Sequence, residues 1–401
     1  MATKTTRGAH GGGSIRKRSD GRWEGRYSLG TDSKTGKQIQ KSVYGKTQKE
    51  VRQKLAKITT EIDEGTYIEP TKMKVGEWLD QWLDEYSSDK KFLTVKGYRA
   101  QSNTHIKPAL GEAKLASLTP MMVQTFYNEL STPPDGSKGL APKSVRNVHG
   151  VFSKAMNQAV RNGLIRSNPC DGAILPRIEK PKVSPLTDEQ IKNMFLLADE
   201  DEVYGTLLKI IVLTGLREAE AMGLTWDCVD FEKGILSIEK QLQKRPKANG
   251  GIVFASLKND KARILKPAPY VMELLRQRYD QQIQQRKSAA ESWEGWLTEE
   301  EHRKALVFTT LTGTYLSPQT VYNHFKKIAA QIGAPDARVH DLRHTYAVLS
   351  LQNGDDVKTV QRNLGHATAA FTLDVYGHVS EGMKNASSSR MEQYVRAVIN
   401  P

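Results

Sequence analysis

The chain has 401 residues, 38% hydrophobic and 26% charged, with a net charge of +14 and a pI near 9.5. That is length enough for two or three domains with real cores, and the basicity points to a polyanionic partner. Cys170 and Cys228 cannot form a disulfide framework, no Cys/His cluster has zinc spacing, and no segment approaches membrane-spanning length.

The N-terminal stretch MATKTTRGAHGGGSIRKR is basic but lacks the apolar core of a secretory signal. With so few cysteines, a reducing cytosol is the expected compartment, and nucleic acid rather than lipid the expected partner. The charge is not spread evenly. Residues 1–60 hold 15 Lys/Arg against 4 Asp/Glu, so +11 of the +14 sits there.

After the GGG of the tail come three strand-like runs, SIRKR (14–18), WEGRYSL (23–29) and QIQKSVY (38–44), separated by SDG and TDSKTGK turns. A helix is expected from Thr47, where TQKE reads as a capping box, with Val51, Leu55, Ile58 and Ile62 as its stripe. Alternation directs Ile15, Trp23, Tyr27, Leu29, Ile39 and Val43 toward that helix. The opposite sheet face then carries Arg16, Arg18, Arg26, Gln38 and Gln40, with Glu24 as an acidic exception. An Arg/Gln face on a small sheet suits a DNA major groove.

TYIEPTKMK (66–74) reads as a linker. Beyond it, Val75, Trp78, Leu79, Trp82, Leu83 and Tyr86 follow helical period, as does a long apolar stripe near 143–161. An all-helical unit ending near NPCDG (168–172) is expected, then a second linker, IEKPKVSPL (178–186). A third unit opens with the capping box TDEQ at Thr187. Its order is helix, TGLR turn, helix, three strand-like stretches (GILSIEK, GIVFASL, ARILKP) and further helices. Residues 280–304 look like a helical insertion.

Four pieces of this third unit carry chemistry. TGLREAEAMGL (214–224) places Arg217 at a glycine turn, with Glu220 one turn on and able to hold its guanidinium. LKNDKA (257–262) puts Lys258 and Lys261 between two strands. HDLRHTYA (340–347) sets His340, Arg343 and His344 on one helical face. A guanidinium fork with imidazoles beside it suits an oxyanion such as phosphate. NLGHATAAFTLDVYGHV (363–379) gives His366 after a glycine turn and Tyr376 near the end of a helix. Each piece alone has an ordinary explanation as an ion pair, a solvated lysine or a half-buried aromatic. Their order and spacing together do not.

Arg, Lys, His-x-x-Arg, Leu-Gly-His and Tyr in this succession resemble the tyrosine recombinase, or phage integrase, family. The 73–172 region is similar to that family's core-site-binding domain. The N-terminal sheet and helix resemble the arm-type DNA-binding domain of conjugative-transposon integrases. The resemblance implies a mainly α multidomain chain with small β-sheets. Its parts are an arm-type domain (1–66), a helical core-site domain (73–175) and a mixed α+β catalytic domain with a C-terminal tail (184–401).

It further implies that Tyr376 attacks a phosphodiester to give a 3′-phosphotyrosyl intermediate, conserving bond energy so that religation needs no ATP. Arg217 and Arg343 would clamp the non-bridging oxygens. Lys258, preferred to Lys261 because it sits on the strand-exit side, would protonate the leaving 5′-oxygen. His340 would assist proton transfer from the tyrosine, His366 would bond the phosphate, and Glu220 and His344 would orient the site.

No metal or other cofactor is expected. The implied partners are double-stranded DNA with core-type and arm-type sites, a homo-tetramer on that DNA, an excisionase and a host DNA-bending protein. The setting is a bacterial cytoplasm, with nucleoid association when active, and a tail past Tyr376 is expected to link cleavage to assembly. The alternatives are an architectural DNA-binding protein and a topoisomerase with the same tyrosine chemistry.

Overall fold

The computed structural model describes residues 14–31, 35–69, 71–179, 184–246, 251–257, 261–365 and 380–399. The chain divides into two compact units, Met1–Lys180 and Pro181–Pro401.

In the first unit, β1 (Ser14–Lys17), β2 (Trp23–Thr31) and β3 (Gln38–Gly45) form an antiparallel sheet in that order. It packs on α1 (Gln48–Asp63), where Tyr27, Val51 and Leu55 are buried and Ile15, Trp23, Leu29, Val43, Ile58 and Ile62 lie against them. Ile39 departs from expectation: it is exposed at the far end of β3. Thr47 caps α1 by accepting from the Glu50 amide at 3.2 Å, but Glu50 bonds the Lys46 amide rather than closing a box on Thr47.

Arg16, Arg18, Arg26, Gln38 and Gln40 are all exposed, as the alternation requires. Glu24 is the hub of their face rather than an exception to it. Its buried carboxylate accepts from Arg16 Nε at 2.7 Å, Ser42 Oγ at 2.9 Å and Arg26 Nε at 3.2 Å. Those bonds, the Arg16 bond foremost, hold its pKa down to about 2.

The remainder of this unit is helical: α2 (Val75–Glu85), α3 (Phe92–Gln101), a π-helical stretch Ser102–Ile106 running into α4 (Lys107–Leu110), α5 (Pro120–Ser131) and α6 (Pro142–Arg161). The predicted α2 stripe is buried except for Tyr86, and Trp78 Nε1 donates to the Ala155 carbonyl at 2.9 Å, locking α2 to α6.

The second unit begins with α7 (Asp188–Asp199), closed by the expected Thr187–Gln190 capping box, then α8 (Gly205–Thr214) and α9 (Glu218–Met222). Among the described residues five strands follow: β4 (Val229–Asp230), β5 (Ile235–Ile238), β6 (Lys240–Lys244), β7 (Ile252–Ser256) and β8 (Arg263–Leu265). They make two sheets, β4-β5-β8 and a β6-β7 hairpin. GILSIEK therefore ends one strand and starts another, because β6 leaves the β5 sheet to pair with β7.

α10 (Pro269–Ala289), α11 (Glu299–Lys304), α12 (Pro318–Gln331), α13 (Val339–Gln352), α14 (Val357–Leu364) and α15 (Ser380–Ile399) complete the unit. No helix of the described residues is long and apolar enough to cross a membrane.

The insertion expected at 280–304 does not exist as a separate element. Residues 280–289 are the second half of α10, and the segment after it folds back to bury Trp293, Trp296 and His302. The reading failed because the buried face of α10, apolar from Val271 to Leu275, turns polar beyond it. Arg278, Gln282 and Gln285 are buried there. Arg278 donates to the Val307 carbonyl at 3.1 Å, and Gln282 accepts from Trp226 Nε1 at 2.8 Å. A satisfied polar face leaves no hydrophobic period to read.

Candidate functional site

The TGLR turn stops α8 with Gly215 in the left-handed region, at φ 68°. Glycine is required there twice over, since a Cβ would lie 2.4 Å from Tyr346 Cδ1 and 2.7 Å from Leu364 Cδ2. Arg217 then caps α9. Its amide donates to Glu220 Oε2 at 3.0 Å and its Nη1 to Oε1 at 2.6 Å. Glu220, rather than Glu218, is thus the partner of Arg217.

Glu220 is only 1% exposed and bonds a second guanidinium, Arg263 Nη2, at 2.6 Å. Burial pushes its pKa up, but the Arg263 and Arg217 bonds and charges outweigh it and hold it at about 2.

Helix α13 carries His340, Arg343 and His344. The two imidazoles meet edge-to-face at 4.8 Å, as i,i+4 neighbours should. Arg343 does not lie open beside them; it is 2% exposed and turned inward. Its Nη1 donates to the Gly215 carbonyl at 2.6 Å and its Nη2 to the Leu364 carbonyl at 2.5 Å. His340 is exposed as a residue. Crowding by protein first, then His344, Arg343 and Arg217, lowers its pKa to about 4, so it is neutral at pH 7. Burial lowers the pKa of His344 as well.

The third piece is the C-terminal end of α14, which stops at Gly365 with φ 62°. Its last carbonyls receive three arginines in succession. Arg263 Nε bonds Asn363 O at 2.8 Å, Arg343 Nη2 bonds Leu364 O at 2.5 Å, and Arg217 Nη2 bonds Gly365 O at 3.3 Å. Helix carbonyl ends are the negative pole of the helix, so guanidinium donors suit them. TGLR, HDLR and the start of NLGH are brought together in this way, with His340 close enough to feel both arginines.

Lys258, His366 and Tyr376 lie outside the described residues; Lys261 is described, and exposed.

Residues 184–383 match the phage integrase family, and residues 74–131 match its N-terminal SAM-like domain. The chain belongs to the phage integrase family. Among its relatives, a tyrosine recombinase XerC-like protein of Caldanaerobacter subterraneus subsp. tengcongensis is 27% identical over 88% of this chain and 91% of its own. The ICEBs1 integrase of Bacillus subtilis is 23% identical over 94% and 99%. A solved structure of the Tn1549 transposon integrase with circular intermediate DNA aligns at TM-score 0.65 and 19% identity, over 80% of this chain and 99% of that one. A lambda integrase dimer bound to a core site aligns at TM-score 0.52 and 17% identity, over 94% and 97%. The tyrosine recombinase fold is common to them.

In this integrase the sequence reading missed Arg263. No sequence signal marks it: Ile264 and Leu265 are adjacent apolar residues, and only the structure shows Ile264 68% exposed and Leu265 buried, which puts Arg263 on the inward side of the strand. What no sequence pattern carries is that the main-chain carbonyls of Gly215 and Leu364 receive Arg343.

Proposed function

We propose that this integrase integrates and excises a mobile element by cutting and rejoining DNA at specific sites. Tyr376 is the nucleophile and forms a 3′-phosphotyrosyl link, with strand exchange passing through a Holliday junction. Arg217 and Arg343 neutralise the charge that builds on the scissile phosphate. Lys258 protonates the leaving 5′-oxygen, His340 takes part as a neutral imidazole in moving the tyrosine proton, and His366 bonds the phosphate. Glu220 and His344 orient these groups.

The observation that carries this reading is the convergence of Arg217 and Arg343 on the consecutive carbonyls of Leu364 and Gly365, immediately before His366. Residues distant in sequence thereby sit around one small volume, lined by cationic and neutral donors, as a phosphoryl-transfer site needs.

The proposed division of labour assigns arm-type sites to 1–66, core-type sites to 73–175 and chemistry to 184–401. A homo-tetramer is the assembly on DNA. Arg16, Arg18, Arg26, Gln38 and Gln40 form the arm-site surface, supported by their exposure on one sheet around Glu24. An excisionase and a host DNA-bending protein are proposed to set direction, in a bacterial cytoplasm.

The test is covalent trapping. Wild type and Tyr376→Phe are incubated with nicked duplexes from the element's ends in excess EDTA and run on denaturing gels. A protein–DNA band from wild type alone is expected. Specific binding without a band would favour an architectural role, and a band that EDTA removes would overturn the metal-free chemistry. Relaxation of any supercoiled plasmid, without paired sites, would point to a topoisomerase. Deleting residues 1–66 should spare core-site cleavage and impair integration of arm-bearing DNA.

A further inference from the structure

We propose that Arg263 is a positioning residue of the recombinase site, holding three of its elements with one guanidinium. Nη2 and Nη1 grip the Glu220 carboxylate at 2.6 and 3.2 Å, while Nε donates to the Asn363 carbonyl at 2.8 Å. Glu220 is the same carboxylate that holds Arg217. Asn363 is the residue whose carbonyl precedes those taken by Arg343 and Arg217. Arg263 itself stands at the start of β8, five residues after Lys258 in sequence, and pairs with Ile238 of β5.

One side chain therefore ties the start of β8, the arginine-bearing start of α9 and the end of α14. Its side chain is 10% exposed, so the fork works in a dry setting where its bonds are strong. A lysine could not substitute fully. An ammonium can pair with Glu220 or reach Asn363, but the planar fork faces both at once. Arg263 acts through Glu220 and backbone rather than on substrate. A displacement of about 1 Å in a charged group at such a site costs on the order of 100-fold in rate.

The inference rests on the recombinase reading of Arg217 and Tyr376. The experiment uses the full chain and nicked duplexes from the element's ends, measuring single-turnover covalent-complex formation at saturating protein and, separately, duplex affinity. Arg263→Met should slow covalent-complex formation at least ~10-fold, with affinity changed less than about threefold, and Arg263→Lys should fall between. In a Glu220→Gln background, adding Arg263→Met should cost far less, since both act through one carboxylate.

Wild-type rates at saturation from Arg263→Met, even with a lower melting temperature, would reduce Arg263 to a stabilising ion pair and overturn the proposal. If Arg263→Met does not fold, a wild-type rate from Arg263→Lys does the same. Absence of any Tyr376-dependent complex from wild type would instead overturn the recombinase reading, and this inference with it.

Discussion

Replacing Glu220 by Gln should weaken the second unit by about 3 kcal/mol at neutral pH. Two routes give that magnitude. The carboxyl sits at about 2 against an ordinary 4.5. At ~1.4 kcal/mol per pK unit, that shift is worth about 3 kcal/mol. Independently, removing one partner of a buried ion pair typically costs about 3–5 kcal/mol, because the other charge is left without compensation. Here two guanidiniums are left, although the amide oxygen can still accept from one of them.

For a unit of this size, melting temperature falls by about 2–4 °C per kcal/mol, so a drop of about 6–12 °C is expected by calorimetry of the full chain. The sign with pH is fixed as well. A folded pKa below the unfolded one adds stability that is complete above about 4.5 and disappears as pH falls toward 2. Wild type should lose this contribution on acidification and Glu220→Gln should not, so the gap between them should close. A melting drop below about 2 °C, or a gap independent of pH, would refute the central placement of Glu220.

Arg343, His340 and, in the first unit, Glu24 carry further predictions. Arg343→Ala should abolish covalent-complex formation, but it also strips the donor from the buried Gly215 and Leu364 carbonyls. At about 1–3 kcal/mol for each orphaned group it should lower the melting temperature too; unchanged melting would contradict the bonds to those carbonyls. His340, with its pKa lowered to about 4, should show no imidazole titration by NMR between about pH 8 and 5.5. Because its folded pKa lies below the unfolded 6.5, stability should decline as pH drops from there toward 4, and a midpoint near 6.5 would count against its crowding by protein and by His344 and Arg343. Glu24→Gln should release Arg16 and Arg26 on the N-terminal sheet, raising affinity for random DNA and steepening its salt dependence by about one counterion; equal affinity and slope in both proteins would argue that this face does not meet DNA.

Local pattern alone determined a good part of this integrase. Alternation in β1–β3 and the α2 stripe gave the first unit's elements and most of its buried faces, because apolar periodicity there is not interrupted. The order of TGLR, HDLR and NLGH pointed to the chemistry, because each motif is short and self-contained. Tertiary structure decided what the motifs do to one another. Glu24 looks like a charge exception in the sequence and is a shared hub in the fold, and Glu220, legible as the partner of Arg217, also holds Arg263, since Arg16 and Arg263 arrive from other elements.

The polar face of α10 turned an apparent insertion into core, because buried polar side chains that satisfy one another carry no hydrophobic signal. Arg343 was legible as a charged residue on a helix. That it is buried, with its fork bonded to Gly215 and Leu364, depends on main-chain carbonyls that every residue possesses and no residue type announces.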